Sequence, residues 1–327
     1  MQIGESKGTP EHLPGPPRPM PTGAGDDGGR SECAVAVVRI GSGIGEGSPG
    51  VDIGPGRPLT IIAGPCVLEA PEITDRIAAT LVEHCAAHGL SLILKGSFDK
   101  ANRSSAHSAR GPGIEQGLDQ LAALRDRFGV PVTTDIHEVA HAARAACAVN
   151  LLQIPAFLCR QTDLLLAAGD TGLPVNVKKG QFMSPAEMGN VVDKLRDGGA
   201  SGVVLTERGT FFGYNRLVND FIGVGDMMDL GWPVCFDATH STQLPGGERT
   251  KSGGRPDRAP LLARAAVAAG VHAIFLECHP NPTAALSDAS TMLPLDEIPP
   301  LLASLAAIRA ALETSGITAS HARAGEA

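Results

Sequence analysis

From Leu59 onward the chain repeats one pattern eight times: a short run rich in β-branched residues ends in a polar residue, and an Ala- and Leu-rich amphipathic stretch follows. The runs predict strands over 59–63, 91–94, 130–134, 151–154, 175–177, 202–206, 233–236 and 273–276. Helical segments between and after them include 71–87, 114–128, 185–196, 260–269 and 298–312. Pro71 and Pro185 sit where a first-turn proline is tolerated. Gly89, Gly129, Gly172 and Gly270 fall between a helix and the next strand, where a left-handed C-cap is needed. Eight β-then-α units over about 255 residues predict an α/β fold, a (β/α)8 TIM barrel, whose usual length is ~250 residues. An open doubly wound sheet would use fewer strands and a glycine fingerprint after the first, and neither is present.

Ahead of the repeats, residues 1–58 hold 14 Gly and 9 Pro, a sharp shift in composition. Residues 1–32 have too little apolar surface to offset their ordering entropy and are expected to form a disordered tail. Within 33–58, the apolar runs 34–40 and 51–53 are expected to pair as an N-terminal hairpin. The Gly41, Gly43, Gly45, Gly47 run between them lacks dinucleotide-binding spacing and reads as a loop. The catalytic barrel is expected over 59–314, and a flexible C-terminal tail over 315–327.

Net charge is −8, which argues against a nucleic-acid surface. The chain has no apolar run of membrane-spanning length and no secretory leader pattern, and its seven Cys include no CxxC. These features predict a cytoplasmic protein with neither membrane nor nucleic acid as partner. Cys85 and Cys147, in Ala-rich helices, are expected to pack in the core, and Cys159 to be partly exposed.

In a barrel of this kind chemistry gathers at the C-terminal ends of the strands. The predicted ends carry Cys66 and Glu69; Lys95, Ser97, Lys100, Asn102, Arg103 and Ser104; Asp135 and His137; Gln153 and Arg160; Lys178 and Lys179; Glu207 and Arg208; Asp237 and His240; then Glu277, His279 and Asp288. Four of only seven lysines (95, 100, 178 and 179) therefore fall on one face. A cationic mouth in an acidic protein suits small phosphorylated or carboxylated substrates. The segment 100–105 combines two cations, an amide and two hydroxyls that could hold a phosphate, although turn chemistry alone also explains it. Cys66, His240, Glu277 and Asp288 offer mixed S, N and O ligands suited to Zn²⁺, Fe²⁺ or Mn²⁺. A structural cysteine, a substrate-bonding histidine and a turn-capping aspartate are the alternatives at these positions.

Several long motifs carry a resemblance: Ile62-Ala63-Gly64-Pro65-Cys66, Lys95-Gly96-Ser97-Phe98-Asp99-Lys100-Ala101-Asn102-Arg103-Ser104-Ser105, Thr134-Asp135-Ile136-His137-Glu138, Asn176-Val177-Lys178-Lys179-Gly180-Gln181-Phe182, Asp237-Ala238-Thr239-His240-Ser241 and Leu286-Ser287-Asp288-Ala289. Over roughly 51–310 the chain resembles the 3-deoxy-D-manno-octulosonate 8-phosphate (KDO-8-phosphate) synthase family. The resemblance implies condensation of phosphoenolpyruvate with D-arabinose 5-phosphate and water, giving KDO-8-phosphate and inorganic phosphate for lipopolysaccharide synthesis. It implies that Lys95, Lys178, Arg208 and Gln153 hold phosphoenolpyruvate. On the sugar-phosphate side it implies Lys100, Asn102, Arg103 and Ser104, joined in our reading of the strand ends by Ser97, Asp135 and Arg160. One branch of the family has Asn at the position of Cys66 and works without metal, so Cys66 with His240, Glu277 and Asp288 implies one divalent metal. A homotetramer is implied too. Lys95, His240 and Asp288 are the expected catalytic residues, and the proton donor stays open between Lys95, His240 and a metal-held water. Three rivals stand beside this reading. They are a related synthase using erythrose 4-phosphate, a Schiff-base aldolase on Lys95 or Lys178, and a barrel that binds phosphorylated ligands without turnover.

Overall fold

Period-two alternation decides which side chains fill the barrel and which face its helices. The structure, a computed structural model, describes residues 34–41, 50–101, 109–245 and 253–315. The expected N-terminal tail, most of the glycine run, Asn102, Arg103, Ser104 and nearly all of the expected C-terminal tail lie outside the described residues.

A hairpin of β1 (Val38–Ile40) and β2 (Val51–Ile53) comes first, paired antiparallel. Then follow β3 (Thr60–Gly64), α1 (Pro71–Ala87), β4 (Ser91–Lys95), α2 (Ile114–Phe128), β5 (Val132–Asp135), α3 (Val139–Ala146), β6 (Leu151–Ile154) and α4 (Thr162–Asp170). The second half runs β7 (Val175–Lys178), α5 (Met188–Asp197), β8 (Val203–Glu207), α6 (Phe221–Met228), β9 (Val234–Asp237), β10 (Gln243–Leu244), β11 (Gly253–Gly254), α7 (Ala259–Ala268), β12 (Ala273–His279), β13 (Leu293–Pro294) and α8 (Ile298–Thr314). Strands β3 to β9 pair in parallel, each with the next in sequence, and β12 bonds to both β3 and β9. The sheet therefore closes into the expected eight-stranded (β/α)8 barrel. Short β13 adds a parallel pair to the end of β12, and β10 with β11 forms a two-stranded flap.

Local signals explain the elements. Pro71 stands in the first turn of α1, and Thr74, Ile77, Ala78, Leu81 and Cys85 make one buried face at helical spacing. Gly129 ends α2 in the left-handed region at φ 64°, its N–H donating to the Arg125 carbonyl. At α5 the expected proline start gives way to a turn: Glu187 accepts from the Ser184 backbone N–H at 2.9 Å, and the helix begins at Met188.

Two cores result. Outward residues such as Ile61, Leu92, Leu152, Val175 and Leu276 pack against the helices. Inside the barrel, Ile62, Ile93, Leu151, Val204, Cys235, Ala273 and Phe275 meet Val38, Ile40, Val51 and Ile53 of the hairpin. The hairpin thus plugs the N-terminal end of the barrel with four side chains, each contributing about 1.5–3 kcal/mol by burial. Above the plug, Thr133, Gln153, Asn176 and Thr206 form a buried polar layer, with Thr206 donating to Asn176 at 2.6 Å and Asn176 donating to Gln153 at 3.2 Å. Two cysteine expectations are corrected. Cys147 lies at the end of α3, exposed, because the helix turns its Ala142 and Ala145 face inward instead. Cys159 is fully buried, with its Sγ 3.1 Å from the Met183 sulfur.

Candidate active site

Most of the strands end one residue later than their apolar runs, on a polar side chain. Lys95, Asp135, Lys178 and Asp237 close β4, β5, β7 and β9, and Glu277 lies in β12. All five share the parity of the barrel interior, so they converge above the polar layer.

Buried ammonium groups need partners, and each of these lysines has one. Lys95 Nζ donates to Glu277 Oε1 at 2.5 Å and to the carbonyls of Cys66 (2.6 Å) and Pro65 (3.3 Å). Lys178 pairs with Asp237. Both ammonium groups lie over the Phe275 ring, Lys178 at 3.4 Å and Lys95 at 5.7 Å from its centroid. Burial pushes the Lys178 ammonium down, Asp237 and Glu277 oppose that, and it settles below the ordinary lysine range. Lys100 is buried as well, but Cys66, Asp135, Glu277 and Asp288 outweigh its loss of water and raise it well above that range. The mouth expected to be simply cationic is therefore an alternating array of lysines and carboxylates.

Arg208 emerges just past β8 and is buried. Its Nη2 donates to Gln243 Oε1 at 2.6 Å, while Nη1 is buried without a hydrogen-bond partner among the described residues. Asp135 accepts from Ser97, and its other oxygen lies 2.9 Å from His137 Nε2. Burial works against the Asp135 carboxylate, but Lys100, His137 and Lys95 hold it well below the usual range. Arg160 is not drawn into this cluster: it stands exposed before α4, its carbonyl accepting from Lys194 at 3.3 Å.

Beside Lys95, three ligand atoms from Cys66, Glu277 and Asp288 lie within 4.8 Å of one another. Cys66 Sγ donates to Asp288 Oδ2 at 3.0 Å. His240 stands at the edge of this triple, its Nε2 3.5 Å from Glu277 Oε2 and 3.8 Å from Asp288 Oδ2. Its other ring nitrogen, Nδ1, lies 2.8 Å from Asp237 Oδ2, which leaves Nε2 to face the cluster. Burial, then Asp288 and Glu277, push the Cys66 thiol well above its ordinary value. Asp288 loses water too, yet His240, Lys100 and the Cys66 thiol hold its carboxylate below the usual range. Glu277 Oε2 is buried without a hydrogen-bond partner among the described residues. A thiol, an imidazole and two carboxylates, one with an orphaned buried oxygen, are a donor set that fits a first-row divalent cation. Asp288 reaches it from a left-handed backbone, φ 48°, a conformation that non-glycine residues seldom adopt.

Three contributors, Phe275, Gln243 and Thr239, went unread as site residues in the sequence, and Asp237 was read as a strand end without its partners. Phe275 supplies the aromatic floor, and its inward parity within the last strand was the available signal. Asp237 and Gln243 act through partners 59 and 35 residues away, which no local pattern reports. Thr239 accepts from the Glu277 backbone N–H at 2.8 Å and fixes the end of β12.

The family model described as "DAHP synthetase I family" matches residues 36–313. A 2-dehydro-3-deoxyphosphooctonate aldolase of Cyanothece sp. (strain PCC 7425 / ATCC 29141) is 52% identical over 265 residues, 81% of this chain and 97% of that protein. A protein of the same name from Granulibacter bethesdensis is 54% identical over 248 residues, 76% of this chain and 88% of the relative. Another, from Azoarcus sp. (strain BH72), is 49% identical over 275 residues, covering 84% and 99%.

Proposed function

We propose that this chain, which belongs to the DAHP synthetase I family, is a 3-deoxy-8-phosphooctulonate synthase that condenses phosphoenolpyruvate with D-arabinose 5-phosphate and water. KDO-8-phosphate, the 2-dehydro-3-deoxyphosphooctonate of the relatives' name, and inorganic phosphate are the products. The observation that carries this reading is the pair of lysines stacked over Phe275, with Arg208 on the neighbouring strand end, whose Nη1 has no hydrogen-bond partner among the described residues and can meet an anion.

Lys95, Lys178 and Arg208, with Gln153, hold phosphoenolpyruvate over the ring. Lys100 and Asp135, with Ser97, Asn102, Arg103 and Ser104, hold the sugar phosphate; Arg160, exposed before α4, stands outside this set. The enol carbon attacks the aldehyde carbon while water adds to the neighbouring carbon of phosphoenolpyruvate. The tetrahedral adduct then expels phosphate by C–O cleavage. Positive charge developing at the enol ether carbon is met by the carboxylates that already balance Lys95 and Lys178. Negative charge growing on the aldehyde oxygen lies within reach of fixed cations. Asp237 keeps the His240 ring oriented, and Lys95 is held in place by two carbonyls and Glu277.

Cys66, His240, Glu277 and Asp288 would hold one divalent metal, Zn²⁺, Fe²⁺ or Mn²⁺, which supplies Lewis-acid charge at the reacting oxygen when bound. We assign the working enzyme to the cytoplasm as a homotetramer. The exposed rings of Phe157, Phe182, Phe212 and Tyr214 offer apolar surface for such contacts. No helix among the described residues is long and apolar enough to cross a membrane.

The substrate assignment is tested by supplying the full chain with phosphoenolpyruvate and either sugar phosphate and following inorganic phosphate. Turnover with arabinose 5-phosphate should exceed that with erythrose 4-phosphate at least tenfold. Equal or better turnover with the four-carbon sugar would overturn the reading.

A further inference from the structure

The charges at the ends of β7 and β8 fall into two sets by parity. Lys178 and Arg208 share the inward parity of Asn176, Val204 and Thr206, whereas Lys179 and Glu207 share the outward parity of Val177 and Leu205. Lys179 is thus no part of the cationic mouth to which its position in the sequence assigns it. Lys179 and Glu207 are each 1% exposed and face one another behind the barrel wall, Nζ to Oε2 3.4 Å.

The bonds around the pair run directly to Arg208. Glu207 Oε1 accepts from the backbone N–H of Arg208 at 3.0 Å and of Gly209 at 2.7 Å. Lys179 Nζ donates to the Met183 carbonyl at 3.2 Å and to the Thr210 hydroxyl at 3.1 Å, and its backbone N–H donates to the Thr206 carbonyl. One carboxylate therefore ties the Arg208 backbone to a lysine rooted on the neighbouring strand. The turn itself has little freedom. Gly209 takes φ 92°, and a Cβ there would lie 2.8 Å from Leu217 Cβ. The far end of Arg208 is held by Gln243, which leaves Nη1 as a donor without a hydrogen-bond partner among the described residues.

We propose that Lys179 and Glu207 are positioning residues for phosphoenolpyruvate: their buried pair fixes the turn from which Arg208 presents Nη1 to the phosphate group. The proposal rests on the reading of Arg208 as a phosphate ligand and explains why two adjacent lysines have opposite tasks. Lys178 meets the substrate, and Lys179 holds the residue that does. Losing one charge-assisted hydrogen bond from such a donor costs on the order of ten- to a hundredfold in affinity.

Glu207→Gln separates positioning from electrostatics by sign. Removing a negative charge beside an anion site should tighten anion binding through the field alone, whereas loosening the Arg208 turn should weaken it. Phosphoenolpyruvate binding is measured by titration calorimetry on the full-length, metal-supplied enzyme, with steady-state KM values for both substrates. Glu207→Gln should weaken phosphoenolpyruvate about ten- to a hundredfold and leave the KM for arabinose 5-phosphate within about twofold. Lys179→Arg, which keeps charge and donors, should stay within about threefold of the parent. If Glu207→Gln does not fold, Lys179→Met with Glu207→Gln removes both charges and leaves neither buried alone. A field effect predicts no change for that double variant, and positioning predicts the same loss. Unchanged or tighter binding in whichever of the two Glu207 variants folds overturns the proposal. Arg208→Lys distinguishes the two failures. Weakened binding there but not in the Glu207 variants sinks the pair alone, whereas unchanged binding there removes the Arg208 assignment and the proposal with it.

Discussion

Asp237 links the two halves of the site. Its carboxylate pairs with Lys178, accepts from the His240 backbone N–H at 2.8 Å and faces His240 Nδ1. Burial alone would raise its pKa, but His240, Lys178 and Arg208 hold it below the usual carboxylate range. Asp237→Asn should release the His240 ring and weaken metal binding about ten- to a hundredfold, read by competition with a chelating dye. Unaltered metal affinity would count against this arrangement. Glu277→Gln should lower metal content further, because it removes charge from a donor whose Oε2 has no hydrogen-bond partner among the described residues. Metal per chain, measured by elemental analysis, checks this, and a full complement in the variant would contradict it. At this scale the sequence showed where Lys95, Lys178 and Asp237 stand, at strand ends, but not how they pair. Lys95 meets Glu277 across 182 residues, and only barrel closure brings them together.

Among the elements, the eight strands were legible because β-branched runs separated by amphipathic stretches admit few other arrangements. Their last residues were not, because a lysine or aspartate closing a strand resembles the start of a loop. Period two nevertheless carries through those residues, and applied one step further it separates Lys178 from Lys179. The plugging hairpin was legible in its pairing but its packing partners were not, since β1 and β2 are three residues each and bury their side chains only against barrel residues far along the chain. Ile40→Ala or Ile53→Ala should lower the free energy of unfolding by about 2–5 kcal/mol, as measured in urea, and leave the KM values within about twofold. A large change in KM with little loss of stability would mean that the N-terminal end of the barrel acts on the distant mouth.

For the molecule as a whole, the net charge of −8 and the lysines of the mouth describe different places. Carboxylates set against buried Lys95, Lys178 and Lys179 let an acidic protein keep cations in its interior, where bound anions would meet the first two at low dielectric. The oligomer is a whole-molecule property, and sedimentation should give about four times the 33.6 kDa chain, with a monomer contradicting it. As proposed, one barrel mouth joins a phosphoenolpyruvate cation set to a divalent metal held by Cys66, His240, Glu277 and Asp288. Phosphate release from phosphoenolpyruvate and arabinose 5-phosphate, followed before chelation, after chelation and after restoring Zn²⁺, Fe²⁺ or Mn²⁺, tests it most directly. Activity should fall to background in the chelated enzyme and return with at least one of these ions. Full activity in a preparation shown by elemental analysis to hold no metal would contradict it.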